Sequence, residues 1–159
     1  RDGTVKAIWC FLTNQPATLR ALGYELGTID SYEWGYKVPG NFYVTKPAFL
    51  NDRFDAARRF LSATRKGWEC AISPGGQTSI AEKVTKVLAP NYGTKYQQQL
   101  DQIKDQIPFM QSPVTKAKGL LAVNLEDWES AIRILDKIGE LEKLPKLEDL
   151  VTTAVLDKI

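Results

Sequence analysis

The sequence predicts an α/β domain, and three observations carry that expectation. Val5–Leu12 is a near-continuous apolar run, short and rich in β-formers, bounded by polar residues. Such runs belong to strands buried on both faces of a sheet. The pattern then reads strand, helix, strand across the first thirty or so residues, the order of a parallel crossover unit. Beyond Asn51 the apolar residues recur at helical spacing.

In chain order, Val5–Leu12 is the first predicted strand, ending at the polar corner Thr13-Asn14-Gln15. Pro16 suits a first helical position, so Pro16–Leu22 is a short helix closed by Gly23. Tyr24–Ile29 and Asn41–Thr45 are two further strands. The intervening Asp30–Gly40 is a connector rich in Gly, Tyr, Trp and Pro, and the change of texture at Ser31–Pro39 marks a domain boundary. Asn51 or Asp52 caps a long helix to about Ile72, with Phe54, Ala57, Phe60, Leu61, Thr64, Trp68 and Ala71 on its apolar face. Ser73-Pro74-Gly75-Gly76 ends it. A helix over Thr78–Leu88 follows, broken by Pro90-Asn91-Tyr92-Gly93. Another spans Thr94–Ile107, stopped by Pro108. Asn124 caps the next helix, whose face is Leu125, Trp128, Ile132 and Leu135, and Gly139 closes it. Leu147–Leu156 is a last short helix. Three strands are few for so many helices.

Composition narrows the function classes. Of 159 residues, 43% are apolar and 25% charged, an ordinary globular mixture. The 21 basic and 19 acidic residues are interspersed, without the basic stripe of a nucleic-acid binder. There is no histidine, which removes Ser-His-Asp and Cys-His catalysis from this chain and also the commonest metal ligand. Cys10 and Cys70 are unpatterned and read as buried free thiols, neither a zinc site nor a disulfide framework. No carboxylate pair stands isolated in an apolar context, so no catalytic residue, metal site or cofactor is assigned. No apolar run is long enough to span a membrane, and no signal peptide is visible.

Two constellations could contact a ligand. Thr13-Asn14-Gln15 follows a predicted strand end and opens a helix, a usual ligand position in open α/β sheets. Asn and Gln offer both donors and acceptors to a neutral heterocycle or amide. From spacing alone, capping of the helix by Thr13 or Asn14 is the favoured reading. Tyr32, Trp34, Tyr36, Phe42 and Tyr43 concentrate aromatic rings in and after the connector, available for stacking on a flat ligand or for packing between lobes. The Gly-rich Ser73–Thr78 lacks the lysine and spacing of a phosphate loop and reads as a helix end.

Val5-Lys6-Ala7-Ile8-Trp9 through Pro16 resembles the strand and corner of ABC-transporter substrate-binding proteins, in the group of thiamine-pyrimidine-precursor and nitrate/sulfonate-type binders. Tyr36–Val44 is similar to their re-entry strand. Phe60-Leu61-Ser62-Ala63-Thr64-Arg65-Lys66-Gly67-Trp68-Glu69 is similar to a helix of theirs, and Ser112–Lys116, Trp128 and Leu147–Leu156 to their tail. The resemblance implies a type II periplasmic-binding-protein fold, two α/β lobes closing on a solute. It implies that this chain is the C-terminal portion: residues 1–35 finish the second lobe and cross over, and residues 36–159 form the C-terminal part of the first lobe. It also implies an extracytoplasmic protein that partners with an ABC permease, with Thr13, Asn14, Gln15, Trp34 and Tyr36 facing the solute, a thiamine pyrimidine precursor as first guess. A half-sheet would expose edges, which favours a homo-oligomer or domain swap. Two other classes stay open: a pyrimidine-forming enzyme branch, which relies on histidine and an iron-associated cysteine motif, and a structural domain without a ligand.

Overall fold

The computed structural model describes residues 4–37, 40–91, 93 and 95–159. Among them every regular element is helical and no strand forms. The α/β expectation is therefore overturned, and the sheet that the resemblance implied is absent from the described residues. Val5–Leu12, Tyr24–Ile29 and Asn41–Thr45 all lie outside any strand. The reason is physical. A strand exists only when a second segment completes its hydrogen-bond ladder, and β-propensity is expressed through cross-strand packing rather than by the backbone alone. None of the three segments finds such a partner among the described residues, and most of their apolar side chains are exposed, with Trp9 87% and Ile29 85% exposed. The Asn41–Thr45 segment attaches by ring edges instead. Phe42 meets Trp128 at 5.1 Å and Tyr43 meets Phe60 at 5.2 Å, both T-shaped, the arrangement that ring quadrupoles favour.

The helices are α1 (Gln15–Ala21), α2 (Pro47–Ile72), α3 (Pro74–Lys83), α4 (Tyr96–Met110), α5 (Pro113–Lys118), α6 (Leu125–Lys137) and α7 (Leu147–Leu150). A π-turn over Val84–Leu88 extends α3, and a 3-10 turn covers Leu156–Lys158. Several boundaries match local signals. Gly23 N–H bonds the carbonyl of Arg20 and Tyr24 N–H that of Leu19, which closes α1 where the sequence places its stop. The same pair of bonds at Gly139 and Glu140 closes α6. At its start, the Asn124 side chain accepts from Glu126 N–H at 3.3 Å.

Other boundaries move. The α2 helix begins at Pro47, ahead of the predicted cap. Its backbone breaks at Arg53 (φ −133°, ψ 33°), one residue beyond Asp52. Ser73-Pro74-Gly75-Gly76 is a helix start rather than only an end: Pro74 occupies the first turn and the Ser73 hydroxyl accepts from Gly76 N–H. Pro108 lies inside α4, which runs on to Met110. The predicted last helix shrinks to Leu147–Leu150. Helix α5 carries a full capping box, Ser112 with Thr115. Val38 and Pro39 of the re-entry segment, Tyr92 of the Pro90–Gly93 break and Thr94 at a predicted helix start lie outside the described residues.

The chain divides into two compact units. Unit 1 comprises Arg1–Ile29 and Ala71–Phe109, and its buried residues are Pro16, Ala71, Gly76, Ala81 and Leu100. Unit 2 comprises Asp30–Cys70 and Met110–Ile159, with Leu120, Ala131 and Val155 buried. Burial of a whole Leu or Phe side chain stabilises a fold by about 1.5–3 kcal/mol. Among the described residues no large side chain is fully buried.

Candidate functional site

The polar corner Thr13-Asn14-Gln15 lies in unit 1 at the start of α1. A turn closed by Asn14 N–H on the Phe11 carbonyl (3.0 Å) leads into it. Asn14 occupies the cap position, with φ −125° and ψ −80°, yet its side chain makes no capping bond. Its Oδ1 instead accepts from Nε2 of Gln102 on α4, at 2.7 Å. One turn later Gln98 Nε2 donates to Thr18 Oγ1, also at 2.7 Å. Asn14 and Thr18 are four residues apart, as are Gln98 and Gln102, so each pair lines one helix face. The two bonds run in opposite chain order and tie α1 antiparallel to α4.

The bonding fixes which way each amide points. Phe11 N–H can only donate, so Gln15 turns its Oε1 to it (3.1 Å) and its Nε2 away. The Thr18 hydroxyl donates to the Asn14 carbonyl (3.3 Å), which leaves Oγ1 to accept from Gln98. Gln102 Oε1 accepts from Gln99 Nε2 at 3.1 Å, so its own Nε2 faces Asn14. Nδ2 of Asn14 and Nε2 of Gln15 are left without partners among the described residues. Asn14 is exposed and Gln15 half-buried. The corner is uncharged and offers N–H donors, which suits a ligand edge made of oxygen or unprotonated ring nitrogen. Thr13 is half-buried, and its hydroxyl has no partner among the described residues.

Trp34 and Tyr36 lie in unit 2, in a turn over Asp30–Tyr36. The Asp30 carboxylate accepts from Tyr32 N–H (3.0 Å), and Tyr36 N–H reaches the Ser31 carbonyl (2.9 Å). This winding leaves Trp34 81% exposed and Tyr36 37% exposed. Both rings can offer a face to a flat molecule. The Tyr32 ring is already covered by the Lys37 ammonium, 4.7 Å from its centroid. The structure thus places Thr13, Asn14 and Gln15 together in one unit, and Trp34 with Tyr36 in one turn of the other.

Gln98, Gln99 and Gln102 escaped the reading of the sequence, where the polar face of this helix carried no role. The available signal was the matching four-residue spacing of Asn14/Thr18 and Gln98/Gln102. Cys10 is half-buried and Cys70 exposed, rather than both buried.

Elsewhere in unit 1 a shallow depression of about 370 Å³ is lined by Ser79, Glu82, Lys83, Lys86 and Val87, none of them a predicted site residue. Two of its three charges pair with each other. The Lys86 hydrogen bond (2.6 Å) holds the Glu82 carboxyl below its ordinary value, and Glu82 in turn raises Lys86. Among the described residues no group of three or more Cys, Asp or Glu side chains could hold a metal ion, and no helix is long and apolar enough to cross a membrane.

The family model described as NMT1/THI5 like matches residues 1–75, a segment that contains Thr13–Gln15, Trp34 and Tyr36. No curated protein and no solved structure matches the chain.

Proposed function

We propose, from the family match over residues 1–75, that this chain is the solute-binding component of an ABC importer. Its ligand is a small, flat, polar solute, with a pyrimidine precursor of thiamine as the first candidate. The Asn14 and Gln15 amides, assisted by the Thr13 hydroxyl, donate to ring nitrogens or oxygens of the solute, and Trp34 or Tyr36 stacks on its face. In this reading residues 1–35 and 36–159 belong to two lobes, the protein works outside the cytoplasm, and its partners are the solute and an ABC permease. The match itself is the observation that carries the proposal. The two outward amide nitrogens add support, because they give the corner a polarity that a pyrimidine ring nitrogen complements.

The test is a thermal-shift screen of the chain with pyrimidines, sulfonates and nitrate, followed by calorimetry on any solute that raises the midpoint. Asn14→Ala with Gln15→Ala removes two neutral hydrogen bonds, about 0.5–1.5 kcal/mol each, and weakens binding roughly tenfold or more. Unchanged affinity in the double variant refutes the site. A screen in which no solute shifts the midpoint refutes the binding role. Iron-dependent turnover of a pyridoxal-phosphate-type substrate would replace it with the pyrimidine-forming enzyme.

A further inference from the structure

We propose that Arg65 is a latch that holds two remote segments of unit 2, the bend at residues 119–122 and the C-terminal turn, through a single guanidinium. Arg65 sits half-buried on α2. Its Nε donates to the Leu120 carbonyl at 2.9 Å, and its Nη1 to the Ile159 carbonyl at 2.9 Å. These acceptors lie 55 and 94 residues further along the chain. A planar fork with several fixed donors can serve two carbonyls in different directions, which a single ammonium cannot. Arg65 takes part in no ion pair with Asp or Glu among the described residues, so these two main-chain oxygens are its principal engagement.

The bend it grips is strained. Gly119 has φ +88° and passes close under the guanidinium, where an added Cβ would lie 3.5 Å from Cζ. Two residues on, Leu121 has φ +71°, a left-handed backbone that side-chain-bearing residues disfavour. Such strain persists where the surroundings over-determine the conformation. Here the determinant is specific. The Leu120 carbonyl belongs to the peptide plane whose orientation sets φ of Leu121, and Arg65 holds that oxygen. Leu120 is itself buried, and Ala122 N–H closes the bend on the Gly119 carbonyl at 3.2 Å. At the other end, Lys158 N–H and Ile159 N–H bond the Val155 and Leu156 carbonyls at 3.2 and 3.3 Å. A turn this short has little cohesion of its own, and the tie from Arg65 to Ile159 anchors it. Loss of one side chain therefore releases both segments together.

Amide hydrogen exchange on the full chain tests the latch. In Arg65→Met the Ala122 and Ile159 amides both exchange about tenfold faster or more, as expected for loss of a charged donor's hydrogen bonds. In Arg65→Lys at most one of the two keeps its wild-type rate. Acceleration at one amide alone in Arg65→Met, or wild-type rates at both in Arg65→Lys, overturns the proposal. Should Arg65→Met fail to fold, Arg65→Lys decides alone: faster exchange at Ala122 or Ile159 is expected, and wild-type rates at both overturn the latch.

Discussion

The pairing of Asn14 with Gln102 makes a sharp prediction, because Asn14 occupies a helix-cap position without capping. Consider Asn14→Ala and Gln102→Ala, alone and combined. The bond is short, 2.7 Å, but it joins neutral amides in an exposed setting, which places its net contribution at about 0.5–1 kcal/mol. Gln102→Ala also frees Gln99, its partner at 3.1 Å, and so costs somewhat more than Asn14→Ala. A coupling energy of about 0.5–1 kcal/mol is expected from the double-mutant cycle, as for residues in direct contact. In the Gln102→Ala background, Asn14→Ala then costs little. Urea unfolding reads this directly: with a slope of about 1–3 kcal/mol per M, the first substitution lowers the midpoint by about 0.5 M and the second hardly moves it. If Asn14 were an ordinary cap, Asn14→Ala would cost about 1 kcal/mol in both backgrounds and the coupling would vanish. That result would refute the cross-helix tie, and with it the orientation of the Asn14 amide on which the donor-bearing corner rests. The tie matters for α1 because seven residues fall well below the length at which an isolated helix is stable.

Gly139→Ala forces an alanine into φ +78° and should destabilise the chain by about 1–2 kcal/mol in the same assay. Asn124→Ala should cost about 1 kcal/mol through loss of the α6 cap, while Asn124→Asp retains most of the stability. Ser112→Ala, which dismantles the α5 capping box, should cost a similar amount. The hydrogen bond from Arg58 holds Asp55 below its ordinary value of 3.8. The pair therefore favours the folded state above that pH and loses its contribution as pH falls through the lowered value. Arg58→Gln should move the Asp55 titration midpoint upward by NMR. Lys86, raised above 10.5 by Glu82, behaves oppositely: its contribution is complete below 10.5 and disappears as pH rises through the raised value. Both groups are exposed, so high salt should reduce each shift.

Much of the helical layout was legible in the residues alone. The stops at Gly23 and Gly139 and the start at Asn124 lie where their residue types place them, because a helix end is decided by hydrogen bonds among residues three to five apart. The corner at Thr13–Gln15 was legible for the same reason, as a polar group opening a short helix. Tertiary structure decided what local signals do not contain. Val5–Leu12, Tyr24–Ile29 and Asn41–Thr45 have the composition of strands, but a strand needs a partner from elsewhere, and none pairs with them among the described residues. Whether Asn14 caps its own helix or reaches across to Gln102, 88 residues away, depends on where α4 lies. So does the direction in which its amide points, and therefore which atoms the corner can offer a ligand. Arg65 is the extreme case: it lies in the Phe60–Glu69 segment that the resemblance singles out, but its partners are main-chain oxygens 55 and 94 residues away, whose bonding capacity is the same whatever side chain they carry.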